Sequence, residues 1–415
     1  MQKRSYFLIF GALILIILVG VGVFWYSNQG NITNLGVGNL LPHNTTSGPE
    51  RLTIKGSTIY APDGKPFIFR GYNWGDWGTA EQQDAADNIA QGANIVRIPL
   101  SWYFGDGSKA TSCGAGTQKS KSSQDSYDSG APGNILPANL ALVDQEVAWA
   151  TSQHLWVDVM VRGGDCDFWT NPKIIPQYIQ MWEFLANRYK DTPYIASYEL
   201  LSEPHPPKPF TNTDVKAFYE KLITAVRTVD PVTPVIIGPS KDYEIRDLEQ
   251  VYIPDQSNVI YTANFYELPA YVKEIKTPGA TLTGYPGSYQ DQGLSSDVCN
   301  YSGKGQVVTL NKTFLSGLLG CATHFRDAHA VPIFINQVGI RSGTPGGFQY
   351  VQDVLDLFHT NNIGFAYWTY RSPTTSKGLA DGDIGVVYQT SDGSWIQKPD
   401  WIARLSTFFR GGTTE

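Results

Sequence analysis

The chain has 415 residues, 42% of them hydrophobic and 17% charged, with a formal net charge of −7 and a pI near 5.4. That length and apolar content support a large buried core, while the acidic balance excludes the basic footprint that a nucleic-acid backbone requires. Aromatic residues reach 13%, with 11 Trp and 23 Tyr. They suit equally a big core and platforms that stack on the apolar faces of sugar rings.

In chain order, residues 1–5 carry Lys3 and Arg4, and Tyr6 to Tyr26 then run without a charge. The run is long enough to span a bilayer, and the preceding cations place residues 1–5 in the cytoplasm. Trp25 and Tyr26 suit the far interface. A cleaved signal peptide is the competing reading, in which the remainder is secreted. Residues 27–50 are rich in Asn, Gly, Ser and Thr and read as a linker between the anchor and a domain over 51–415. The remainder then faces the outside. Four cysteines fit that compartment: Cys113, Cys166, Cys299 and Cys321. They allow three pairings, of which Cys113–Cys166 and Cys299–Cys321 are the local ones. Asn31, Asn44, Asn300 and Asn311 each open an N-x-S/T triplet.

A short β-hairpin is expected over LTIKGSTIYAPDGKPFIFRGYN, turning at Asp63-Gly64. Eight apolar, β-branched runs follow: FIFRGYN, ANIVRIPL, LWVDVMV, IASYELL, PVIIG, NVIYTANFY, PIFINQVG and GFAYWTY. Amphipathic helical stretches lie between them: TAEQQDAADNIAQG, PANLALVDQEVAWATSQ, IIPQYIQMWEFLANRYK, TDVKAFYEKLITAVRTVD and YVQDVLDLFHTNN. Strand–helix alternation argues for parallel pairing, and continuous apolar runs fit strands covered on both faces. An eight-stranded (β/α)8 TIM barrel is the economical fold. A doubly wound open sheet is the alternative, but GYNWGDWG is a poor phosphate-binding glycine loop. Two long inserts, 105–135 and 277–306, follow strands and fall on the C-terminal rim, where barrel sites are built.

Polar residues at the strand C-termini converge on one mouth. In order they are Asn73 and Trp74; Arg97; Arg162, Asp165 and Asp167; Ser202 and Glu203; Ser240 and Asp242; Asn264 and Tyr266; Asn336 and Gln337; and Trp368, Tyr370 and Arg371. A cup of amides, hydroxyls, guanidiniums and rings suits a neutral carbohydrate. No CxxC or HxxxH spacing and no cofactor motif occurs, so neither metal nor cofactor is expected.

The order GYNWG, ANIVRIPLSW, LSEP through Ser202–Pro204, NFYE at 264–267, YPG, FINQVG and YWTYR resembles glycoside hydrolase family 5, over residues of about 51 to 410. The resemblance implies a retaining glycosidase acting on a β-linked glucan or mannan, with two glutamates about 5 Å apart. Glu203 matches the acid/base. The position of the nucleophile is Gln337. Arg97 matches the arginine that orients the nucleophile, Tyr266 the tyrosine beside it, and Trp368 the aromatic floor. Asn73, Trp74, Arg162, Ser202 and Asn264 complete the expected sugar-binding set. Ser202 replaces an expected asparagine, and Arg162 and Asn264 replace histidines. A neutral amide is a poor nucleophile and stabilises no oxocarbenium ion by charge, a loss of about 5–8 kcal/mol of barrier, or about 10⁴–10⁶ in rate. Without a neighbouring anion, Glu203 also ionises more easily and becomes a worse acid. Three readings stay open: an engineered Glu-to-Gln trap, a natural sugar-binding descendant that does not cleave, and an enzyme with another arrangement. In the last, Asp165, Asp167 or Asp242 acts as base for inversion, with Glu203 as acid. All depend on residues 203 and 337 facing each other in one pocket.

Overall fold

A computed structural model describes residues 50–75, 78–102, 128, 130–162, 169, 173–272, 284–290, 306–375, 378–379 and 383–413. The expected anchor at 6–26, its linker, Asp165, Asp167, Cys113, Cys166, Cys299 and most of both inserts lie outside the described residues. So do Asn31, Asn44 and Asn300. Among the described residues, no helix is long and apolar enough to cross a membrane.

β1 (Thr53–Lys55) and β2 (Thr58–Tyr60) form an antiparallel hairpin, register Thr53 opposite Tyr60. Its tight turn is at Gly56, φ +58°, a backbone that favours glycine. The expected turn at Asp63-Gly64 is a second one, closing a single bridge between Tyr60 and Pro66. The alternating pattern had merged two turns into one.

β3 (Arg70–Asn73), β4 (Ile95–Ser101), β5 (Trp156–Arg162), β6 (Ile195–Ser202), β7 (Val235–Ile237), β8 (Val259–Phe265), β11 (Ile333–Val338) and β12 (Gly364–Tyr367) close into a parallel barrel in that order. β9 (Gly287–Gln290) and β10 (Val307–Leu310) form a separate antiparallel pair outside the ring. The outer layer comprises α1 (Gln82–Gln91), α2 (Pro137–Ser152), α3 (Ile174–Tyr189), α4 (Asn212–Val229), α5 (Lys312–His329), α6 (Gly347–Thr360) and α7 (Pro399–Phe409). Between β7 and β8 a 3-10 turn over Ile245–Val251 takes the place of a full helix.

Local chemistry sets the ends of these helices. Glu81 and Asp84 form a reciprocal capping box at α1, as Thr211 and Asp214 do at α4. Asn311 caps α5 by accepting from the Phe314 N–H at 2.9 Å, so its sequon sits at a helix start. Cys321, buried on α5, is in a disulfide whose pairing lies outside the described residues.

The ring is filled in layers. At its N-terminal end Phe69, Ile95, Trp156, Ala196, Ile236, Ile260, Phe334 and Ala366 pack together, one from each strand or the residue just before it. Leu52 and Ile59 from the hairpin plug this end. A larger apolar cluster lies between strands and helices. Above the apolar plug the interior turns polar, with Asn73, Arg97, Asp158, Ser197, Glu199, Thr262 and Asn336 all buried. The open, C-terminal end holds the cavity described next.

Candidate active site

Strand pleat decides which of two neighbouring residues enters a barrel. At the end of β3, Asn73 turns inward: it accepts from Arg97 Nη1 at 2.9 Å and donates to the Asn336 carbonyl at 2.9 Å. Trp74 turns outward. Its indole donates to Asn88 Oδ1 on α1 at 3.0 Å, and it is 1% exposed in the core. The expected sugar contact of Trp74 is therefore replaced by helix–strand packing. Arg371 and Tyr370 also leave the mouth. Arg371 pairs with Asp84 at 2.6 Å and Glu81 at 2.9 Å, and Tyr370 packs on Tyr72. Ser240 is buried, its backbone N–H bonded to Asn212 Oδ1 at 2.8 Å.

Eight of the remaining candidates meet. A cavity of about 380 Å³ is lined by Arg97, Arg162, Ser202, Glu203, Asp242, Tyr266, Gln337 and Trp368 from the expected set. Met160, Val272, Arg341 and Ile384 complete the wall. The volume falls within the range of small-ligand sites.

Glu203 and Gln337 touch. Gln337 Nε2 donates to Glu203 Oε1 at 2.8 Å, and Asn264 Nδ2 donates to the same oxygen at 2.6 Å. The Tyr266 hydroxyl donates to Gln337 Oε1 at 3.1 Å. This chain gives each amide one orientation: nitrogen towards the carboxylate, and for Gln337 the oxygen towards the phenol. Asn264 Oδ1 is buried without a partner. Glu203 is thus held as an acceptor by two N–H groups, the posture of a carboxylate rather than of a proton donor. Its backbone lies at φ +50°, a left-handed conformation uncommon for a residue with a side chain.

Irregular pairing aims these side chains. β11 shifts register against β8 between Phe334 and Gln337, and against β12 between Ile335 and Val338. A bulge of this kind lets the neighbours Asn336 and Gln337 both engage the barrel interior, which strict alternation forbids. β5 and β6 slip likewise between Met160 and Arg162, just below Ser202.

Beneath the cavity lies a charged group that strand-end reading missed. Glu199 on β6 is fully buried and forms a two-point salt bridge with Arg97, to Nε at 2.6 Å and Nη2 at 2.5 Å. Arg97 Nη2 also donates to Ser202 Oγ at 2.8 Å. Arg97 is therefore committed to Glu199, Asn73 and Ser202, which revises the expected role of orienting residue 337. Burial alone would lower the Arg97 guanidinium; the charge and hydrogen bonds of Glu199 outweigh this and raise it. Asp158 follows from the same balance. Burial and then the Glu199 charge push its carboxyl well above the usual range, against the pull of Arg97 at 3.8 Å. Burial thus disfavours the charged form of Asp158, and its Oδ2 has no hydrogen-bond donor.

Asp242 reaches the cavity from a segment after β7 in which Lys241, Asp242 and Tyr243 have φ of +61°, +60° and +57°. His205, also unforeseen, joins Asp242 Oδ1 at 3.2 Å through Nε2 and meets the Glu203 carbonyl at 2.9 Å through Nδ1. Among the described residues no group of three or more His, Cys, Asp or Glu is placed to hold a metal ion.

Comparison with known proteins agrees with this architecture. The family model Cellulase (glycosyl hydrolase family 5) matches residues 60–373, and the chain belongs to that family. Endoglucanase C of Acetivibrio thermocellus is 24% identical over 214 residues, 48% of this chain and 61% of that protein. Endoglucanase 3 of Fibrobacter succinogenes is 23% identical over 252 residues, 55% of this chain and 38% of that protein. The chain thus spans about three fifths or less of the length of these relatives. Among solved structures, Thermotoga maritima Cel5A in complex with mannotriose superposes with a TM-score of 0.60 at 19% identity, covering 82% of this chain and 97% of that one. The cellulose synthase subunit Z of Clostridioides difficile gives 0.58 at 19% identity, over 82% and 99%. The fold is that of a family 5 cellulase.

Proposed function

We propose that this chain presents a β-glycan-binding cleft in which retaining hydrolysis is impaired, because Gln337 stands where the family places its nucleophile. The observation that carries the reading is the 2.8 Å hydrogen bond from the Gln337 amide to Glu203. It supports the reading because an uncharged group meets the acid/base candidate, whereas retaining chemistry needs an anion beside that acid. Glucan or mannan is the favoured ligand class. Thermotoga maritima Cel5A has been solved with mannotriose and with cellobiose, and the cup here is lined by Trp368, Tyr266 and the Gln337 amide. In this proposal residues 6–26 anchor the protein in a membrane, 27–50 act as a linker, and the barrel faces outward. Where the anchor is cleaved, the same barrel is secreted.

The test is paired. Cello- and manno-oligosaccharides are titrated against the native ectodomain while Trp fluorescence is followed, and product is assayed on soluble β-glucan and β-mannan. Binding without product supports the reading. Turnover with retention equal to that of Gln337→Glu shows that residue 337 is not the nucleophile position. Turnover with inversion assigns the base to Asp242, which shares the cavity with Glu203. No response to any β-glycan removes the glycan assignment itself.

A further inference from the structure

We propose that Glu199 is the positioning residue of this cup, a buried carboxylate that sets the relative places of Glu203, Asp242 and Gln337 without touching the ligand. The inference deepens the glycan-cleft reading and rests on it. Glu199 is 0% exposed and does not line the cavity. Its two oxygens collect donors from three other parts of the ring. Oε2 accepts from Arg97 Nε at 2.6 Å and from Asn336 Nδ2 at 2.9 Å. Oε1 accepts from Arg97 Nη2 at 2.5 Å and lies 2.8 Å from the Tyr243 hydroxyl. That hydroxyl is also 2.7 Å from the Leu201 carbonyl, so its single proton is shared between two acceptors of β6.

Each donor adjoins a residue of the cup. Asn336 precedes Gln337, at the register shift of β11. Tyr243 follows Asp242, at the end of three consecutive left-handed residues that an external tether must hold in place. Arg97 lines the cavity itself and holds Ser202, the residue before Glu203. One charge therefore indexes β4, β6, β11 and the segment after β7 against one another. Glu199 is the close counter-charge of Arg97, at 2.5 Å, whereas Asp158 stands 3.8 Å away. Cup residues that must meet within hydrogen-bond tolerance need such support, since a displacement of about 1 Å is enough to disable a site.

The experiment uses the full soluble barrel with the variants Glu199→Gln, Tyr243→Phe and, as a remote buried control, Glu146→Gln. Cello-oligosaccharide affinity is measured by Trp fluorescence at a temperature where circular dichroism shows each variant folded. Crystal structures of the native and variant proteins give the Glu203–Gln337 separation. Glu199→Gln is expected to weaken binding about tenfold or more and to lengthen the 2.8 Å contact beyond hydrogen-bond range. Tyr243→Phe is expected to weaken binding several-fold, and it carries the test if Glu199→Gln does not fold. Glu146→Gln shifts the melting temperature and leaves affinity unchanged. Folded Glu199→Gln or Tyr243→Phe with native affinity and an unmoved Glu203–Gln337 contact overturns the proposal. Should the native barrel bind no cello-oligosaccharide, the glycan reading falls alone, and the crystallographic separation still decides the role of Glu199.

Discussion

Replacing Gln337 with glutamate puts a second carboxyl against Glu203, and the structure sets the size of the effect. At the present 2.8 Å contact, two ionised groups at an effective dielectric of about 20 repel by about 6 kcal/mol; relaxation to about 5 Å leaves about 3 kcal/mol. Either figure exceeds the roughly 1.4 kcal/mol that shifts a protonation equilibrium tenfold, so the new pair retains one proton near neutrality. On the proposed reading of the site, the substitution thus supplies a carboxylate able to attack and a reason for its neighbour to keep a proton. Tyr266, now 3.1 Å from the amide oxygen, is placed to donate to the new carboxylate. The expected gain in kcat/KM on an aryl β-cellobioside is about 10⁴–10⁶ over the native protein, equivalent to about 5–8 kcal/mol of barrier. Proton NMR of the first-formed product should show retained configuration, with a bell-shaped pH profile in the variant alone. A folded Gln337→Glu protein that binds oligosaccharide as the native one does, yet gains less than about tenfold, would refute the reasoning.

Four further outcomes follow from the same geometry. Tyr266→Phe removes the hydroxyl on Gln337 and should cost about 0.5–1.5 kcal/mol of glycan affinity by calorimetry, with stability little changed; an unaltered Kd counts against ligand-site involvement. Arg97→Met leaves Glu199 buried without its ion partner and should destabilise the barrel by about 3–5 kcal/mol in urea unfolding; a loss under about 1 kcal/mol contradicts the charge balance described. Glu146 has its carboxyl pushed up to about 8 by burial and then by the charge of Asp84. A raised folded-state value means that its stabilising contribution is complete below the unfolded value near 4.5 and is lost as pH rises towards 8. Glu146→Gln should therefore gain about 3 kcal/mol on the native protein between pH 4.5 and pH 7, and parallel stability curves for the two proteins would remove the argument. Gly71→Ala would place a Cβ 1.7 Å from the Ile95 carbonyl oxygen across the β3–β4 ladder, so this variant should fail to accumulate as folded protein; native-like melting would show that the strands can part there.

Sequence reading located all eight barrel strands, because strands covered on both faces need continuous apolar, β-branched runs and few other elements do. The five expected helices were legible by their periodicity, from α1 to α4 and at α6. α5 escaped because Gly317 and Gly320 interrupt it and lower its helical preference; its formation is decided by Leu315, Leu318, Leu319 and Phe325 packing on the barrel. The sequence also named the carboxylate and the amide that meet, since strand ends in a closed parallel ring point to one mouth.

What the chain could not announce is which neighbour at each strand end turns inward. Asn73 enters and Trp74 leaves by pleat alone, while Asn336 and Gln337 both engage the interior only because β11 bulges. Glu199 looked like one acid within an apolar run, and nothing local distinguishes it. Its place is fixed by donors 102 residues earlier at Arg97, 44 later at Tyr243 and 137 later at Asn336. Strand type is a local property of side-chain shape and hydration and can be read from a window of residues. The pairing of buried charges is a long-range property, and it acquires a definite answer only when the ring closes and withdraws water from every group inside it.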